Sequence, residues 1–209
     1  MKKYLLSLMV VLGMAALANA AWVALDDFES YADSAAMNAR WRVKPDALPI
    51  TQTLENDGDN YMKCYITGGN PGYAQTQYIF PTAVWNDHGV NLTYLGVTDI
   101  KFDSKVTDKA CDYLQVTLYN CWGESVTNTV NLPTSTGSIH DWATIAPIHI
   151  ADYLKAGANL ENVYGIYITL KSTYSGVGDV LIDNLMVQVP EPATMSILAL
   201  GGLLLRRRK

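Results

Sequence analysis

The feature that most restricts this chain is a two-residue alternation that recurs in short runs through its body. In DYLQVTLYN, Leu114, Val116 and Leu118 share one side, and Tyr113, Gln115, Thr117 and Tyr119 share the other. Successive side chains of a strand point to opposite faces, so this spacing fits a half-buried strand and not a helix. Eight further runs behave as strands: AWVALDDFE, NYMKCYIT, AQTQYIFP, VTDIKFDSKV, ESVTNTVNLP, ATIAPIHI, VYGIYITLKS and GDVLIDNLMVQ. Gly, Pro, Asn and Asp clusters separate them. Only Ser34–Ala39 and Ala151–Ala156 read as helices. About nine antiparallel strands with turns between them predict an all-β sandwich of jelly-roll type.

Both ends lie outside that pattern. Lys2 and Lys3 precede an apolar stretch from Tyr4 to Leu17, and Ala18-Asn19-Ala20 has the small-x-small form of a signal-peptidase site. Residues 1–20 are therefore expected to be a signal peptide, 21–188 the folded domain and 189–209 a separate tail. The tail contains Pro190-Glu191-Pro192, an apolar run from Ala193 to Leu205, then Arg206, Arg207, Arg208 and Lys209. Its thirteen apolar residues would make a helix of about 20 Å at roughly 1.5 Å per residue. A bilayer core is about 30 Å thick, so the run fits a transient hold better than a permanent span. The closing cations place the tip on the cytoplasmic side.

The formal charge of −5 hides a division. Between Ala21 and Val189 nine Lys/Arg stand against nineteen Asp/Glu, so the body alone is near −10. A body of that charge repels phosphate backbones, which excludes nucleic acid as a partner. Three cysteines follow the signal peptide, Cys64, Cys111 and Cys121. The last two flank one strand, about 30 Å apart at roughly 3.3 Å per residue, and cannot bridge each other. Cys64 alternates in phase with Met62 and Ile66 and reads as a small buried hydrophobe, though a bridge to either of the others remains open.

In several strands the face opposite the core carries tyrosine, glutamine and threonine instead of alternating charge. Gln115, Thr117 and Tyr119 show it, as do Tyr167 and Thr169, whereas Tyr164, Ile166, Ile168 and Leu170 form the core phase of their strand. An ordinary half-exposed sheet uses the same strand formers. The functional reading is a sugar-binding sheet, where aromatic rings stack on apolar ring faces and amides and hydroxyls meet hydroxyls. Trp85 in AVWNDHG and Trp122 in NCWGES lie in turn-like settings and join Tyr119 and Gln115 as the expected carbohydrate contacts. Trp41 is expected at the sandwich edge and Trp142 in the core. The three histidines have no metal-ligand spacing, and no nucleophile elbow or phosphate loop occurs, so the expectation is a protein that is not an enzyme.

Two resemblances sharpen this reading. LDDFESY at 25–31, Trp142, and Ile182-Asp183-Asn184-Leu185 resemble the galactose-binding-like superfamily, which includes many carbohydrate-binding modules. That resemblance implies a jelly roll and a structural calcium between the first and last strands, with Glu29 and Asp183 at the matching positions. Hard oxygen ligands suit that ion. The turn Glu55–Asn60 resembles a calcium loop in composition only and reads as an Asx-rich turn. The tail resembles the PEP-CTERM sorting signal, with Pro190, Glu191 and Pro192 as its motif. This implies recognition by an exosortase-type membrane protease and delivery to the cell surface or extracellular polysaccharide matrix. The combined expectation is an exported, non-catalytic polysaccharide-binding protein. A matrix or adhesion protein without glycan binding, or an extracellular carbohydrate-active enzyme, are the alternatives.

Overall fold

The computed structural model describes residues 20–44, 50–66, 72–107, 113–130, 140–172 and 178–190. The signal peptide up to residue 19, Cys111, the expected C-terminal apolar helix, and Glu191 and Pro192 lie outside these residues. Among the described residues, no helix is long and apolar enough to cross a membrane.

Two antiparallel sheets enclose one core. The seven-stranded sheet is built on β12 (Gly178–Pro190). One edge of β12 is lined by β6 (Asp99–Val106), and the other is shared end to end by β4 (Asn60–Ile66) and β1 (Ala20–Asp26). Outside β4 lies β3 (Ile50–Asn56); outside β6 lie β9 (His140–Thr144) and β10 (Ile148–His149). The five-stranded sheet runs β2 (Trp41–Val43), β5 (Gly72–Ile79), β11 (Val163–Ser172), β7 (Tyr113–Asn120) and β8 (Ser125–Val130). Helix α1 (Ser34–Arg40) is capped by Asp33, whose carboxylate accepts from the Ala36 amide at 2.8 Å. Helix α2 (Ile150–Lys155) follows β10.

The expected jelly-roll sandwich is therefore present, with twelve strands in place of nine among the described residues. The run ATIAPIHI divides, β9 ending at Thr144 and β10 starting at Ile148, because Pro147 between them has no amide to offer a ladder. The segment ITQTLEN becomes β3 although Gln52 occupies a core position. The Gln52 amide is buried and donates to the Thr76 hydroxyl and, at 3.2 Å, to the Met62 sulfur. Polar pairing substitutes there for an apolar side chain.

The alternation predicts the core almost strand by strand. Ile100, Phe102, Ser104 and Val106 from β6 face Leu114, Val116 and Leu118 from β7 and Ile166, Ile168 and Leu170 from β11, all buried. Tyr164 departs from its expected core phase. A bulge between Val163 and Gly165 in the ladder with β7 inserts one residue, and Tyr164 leaves the core series. Cys64 and Cys121 are free and buried, and burial pushes the Cys64 thiol up to about 12.

The LDDFESY motif forms a lock inside this sandwich. The buried Asp26 carboxylate accepts from the Phe28 amide at 3.0 Å, the Trp41 indole at 2.9 Å and the Tyr31 hydroxyl. Phe28 stacks on Trp41 with centroids 5.4 Å apart, and Trp41 meets Tyr78 at the same separation. Trp41 thus sits on the edge strand β2, as expected, with its side chain fully buried in the core.

Candidate functional site

The antiparallel register of the five-stranded sheet collects the tyrosine, glutamine and threonine positions into rows on its outer face. One row runs Thr127, Thr117, Tyr167, Gln77 and Arg42 from β8 to β2. The next holds Thr129, Gln115, Thr169 and Gln75. Lateral hydrogen bonds tie the rows: Gln75 donates to Thr169 at 2.6 Å, Gln115 to Thr129 at 3.3 Å, and Thr117 pairs with Thr127 at 2.7 Å. Tyr119 lies against Tyr167 with ring centroids 4.1 Å apart. This packing leaves Thr117, Thr169, Gln75 and Tyr167 more buried than an ordinary outer face. Burial, then the nearby Tyr119 and Tyr164 hydroxyls, pushes the Tyr167 phenol up to about 12, against the opposing charge of Arg42. The side-chain oxygen of Gln75 is buried and has no hydrogen-bond partner among the described residues.

The two expected tryptophans stand together at one end of this sheet. The amide of Asn86 donates to the Cys121 carbonyl at 2.8 Å, joining the turn that carries Trp85 to the β7–β8 turn that carries Trp122. Both indoles are about half exposed, Trp85 at 45% and Trp122 at 51%. Trp85 meets Tyr164 edge-on at 5.1 Å, so the residue released by the bulge supports it. Trp122 follows Tyr119 by three positions, and Tyr119 also borders a hollow of about 290 Å³ formed with Glu124, Ser125, Ala158 and Asn159. Trp85, Trp122, Tyr119 and Gln115 therefore belong to one sheet face and its adjoining end. Sequence reasoning did not single out Tyr164 as a site residue, and only an irregular pairing could have done so.

A second feature lies on the seven-stranded sheet. A hollow of about 250 Å³ is lined by Asp57, Asp59, Tyr61, Asp103, Trp142, Thr144, Asp183 and Asn184. Trp142, expected in the core, is 38% exposed and meets Tyr61 edge-on at 5.4 Å. Its strand β9 lies at the sheet margin beside β6, where one of its faces looks outward. Asp183 is on β12, inside the sheet, and pairs directly with Asp103. The Asn184 amide donates to Asp103 at 3.0 Å and to Asp183 at 3.2 Å, while its backbone adopts φ 50°. Asparagine tolerates that left-handed conformation better than most residues. Burial raises the Asp183 carboxyl to about 7 despite the Asn184 backbone hydrogen bond, and the charges of Asp59, Asp103 and Glu29 add to the rise. Glu29 accepts from the Asn60 backbone at 2.7 Å and its side chain at 3.3 Å.

The donor set there is oxygen only, which fits a hard cation. Among the described residues none of the lining aspartates is ion-paired with Lys, Arg or His. Also among the described residues, no three Asp, Glu, His or Cys side chains converge on one ion position. A cation held by Glu29 and Asp183 would therefore draw its remaining ligands from amide or backbone oxygens.

Residues 188–209 match the model of the PEP-CTERM protein-sorting motif, which marks the chain for export and sorting to the cell surface. No curated protein sequence matches the chain. Among solved structures, the family 11 carbohydrate-binding module of a cellulosomal cellulase of Clostridium thermocellum aligns over 82% of this chain and 96% of its own, with TM-score 0.52 and 18% identity. The same module in complex with a β-1,3-1,4-mixed-linked tetrasaccharide aligns over 79% and 94%, at TM-score 0.51 and 17% identity. An exo-β-agarase aligns over 81% of this chain but only 25% of its own length, at TM-score 0.57 and 12% identity. At such identities the likeness is one of fold. The chain is thus a jelly roll of the kind found in carbohydrate-binding modules, followed by a PEP-CTERM sorting motif.

Proposed function

We propose that this exported protein binds polysaccharide without catalysis, through the outer face of its five-stranded sheet. The observation that supports this reading is the register that places Gln115, Tyr119, Tyr167 and Gln75 on one face. Exposed Trp85 and Trp122 stand at the end of that face. Half-exposed rings offer apolar area for sugar faces, and the amides and hydroxyls between them offer directional partners. The likeness to carbohydrate-binding modules agrees with this reading. In the same reading a calcium ion braces Glu29 and Asp183, remote from the sugar contacts, and an exosortase-type protease acts at Pro190-Glu191-Pro192 after a transient hold in the membrane.

A glycan array on the full-length protein, with and without chelator, tests the binding. Retention of at least one polysaccharide, weakened in Trp85→Ala and Trp122→Ala, is the expected result. No retention on any polysaccharide in either condition would refute it and would favour a matrix protein that makes protein contacts.

A further inference from the structure

The two sheets differ sharply in charge. Strands of the seven-stranded sheet carry seven carboxylates: Asp26, Glu55, Asp99, Asp103, Asp141, Asp179 and Asp183. The five strands of the other sheet contain no Asp or Glu, and their two charged residues are Arg42 and Lys171. In a body near −10, that separation leaves one face free of the charge that would repel an anion.

Arg42 is exposed on β2 and shares a row with Gln77 and Tyr167, and its charge is felt by the Tyr167 phenol. Among the described residues it has no ion pair, whereas Lys63 and Lys105 of the other sheet are held by Asp179 and Asp141. Lys101 of that sheet lies over the Trp22 ring at 4.2 Å. The position of Lys171 is a rung of the same parity, paired with Tyr73 and Tyr113. Strand spacing and rise put the Arg42 and Lys171 positions roughly 10 Å apart across the strands and about 13 Å along them.

We infer that the face selects acidic polysaccharides, those with carboxylate or other anionic substituents, over neutral ones. This rests on the polysaccharide reading above and adds the ligand's charge class. Aromatic contacts hold the sugar rings, and the Arg42 guanidinium pairs with a substituent carboxylate, for which its planar donor fork is suited. A neutral polymer would leave that guanidinium without its partner.

The test compares a polymer with itself: polygalacturonate and alginate against the same polymers with their carboxyls reduced to alcohols, with a mixed-linkage β-glucan as a neutral reference. Each is titrated onto full-length protein in which Arg206, Arg207, Arg208 and Lys209 are changed to Gln, removing attraction to the tail. At least one acidic polymer is expected to bind about tenfold tighter than its reduced form in about 20 mM salt. The preference should shrink above about 0.3 M salt as exposed charges are screened. Arg42→Gln removes most of that ratio, Arg42→Lys keeps part of it, and Lys155→Gln on the distant helix α2 leaves it unchanged. Equal or tighter binding of the reduced polymers or the β-glucan overturns the inference while leaving polysaccharide binding intact. So does a ratio unmoved by Arg42→Gln. Failure of every polymer to bind overturns both.

Discussion

At the scale of single residues, the same amino acid takes opposite roles according to its neighbours. Trp41 donates to Asp26 and is fully buried, so Trp41→Ala removes a packed indole and one of the three donors to a buried carboxylate. A loss of about 3–5 kcal/mol is expected in urea unfolding. Trp122 is half exposed, and Trp122→Ala should lower glycan affinity about tenfold or more with little change in the unfolding midpoint. Asp183 gives a pH prediction. Its carboxyl sits near 7 in the fold, above its ordinary 3.8, so the folded state holds the proton more tightly than the unfolded one. The stabilisation is present below about pH 4 and is lost as pH rises towards 7. In chelator, the melting temperature should fall between about pH 4 and 7, and Asp183→Asn should flatten the fall. Calcium added at pH 8 should raise the melting temperature if Glu29 and Asp183 hold it. No shift would remove the ion from the proposed function.

Elements add what residues cannot. The bulge in β11 turns Tyr164 from the core series to a support for Trp85. Gly165 beside it has no room for a methyl group: an added Cβ would lie 2.5 Å from the Tyr78 carbonyl oxygen. Gly165→Ala is therefore expected to cost about 1–3 kcal/mol by displacing β5 from β11. Because the displaced rung adjoins Tyr119, glycan affinity should fall as well, whereas a purely structural effect would change only the unfolding midpoint. The other long strand, β12, serves three neighbours. Its last rungs pair Val189 with Ala21 and Pro190 with Ala20.

At the scale of the whole molecule, charge and address are both arranged by topology. The carboxylates carried on described strands all belong to one sheet, and the strands of the tyrosine-rich face carry none. The first and last described strands, β1 and β12, begin and end paired at one corner of the body. Mass spectrometry of the exported protein should show an N-terminus at Ala21 and a mass lacking the cationic end. A terminus at Lys209 would contradict processing.

The sequence alone determined the sandwich, most of its core and the sorting tail. Each of these is written in contiguous residues: a two-residue period, turn chemistry, and a hinge followed by an apolar run and cations. It also singled out Trp85, Trp122, Tyr119 and Gln115, because tryptophan in a turn and a tyrosine–glutamine face are local patterns. Tertiary structure decided which faces became neighbours. The hollow that exposes Trp142, the bulge that frees Tyr164 and the central placement of Asp183 depend on strand pairing between distant segments. The separation of charge between the sheets has the same origin. Pairing fixes which side of one strand shares a surface with another, and no local period encodes it.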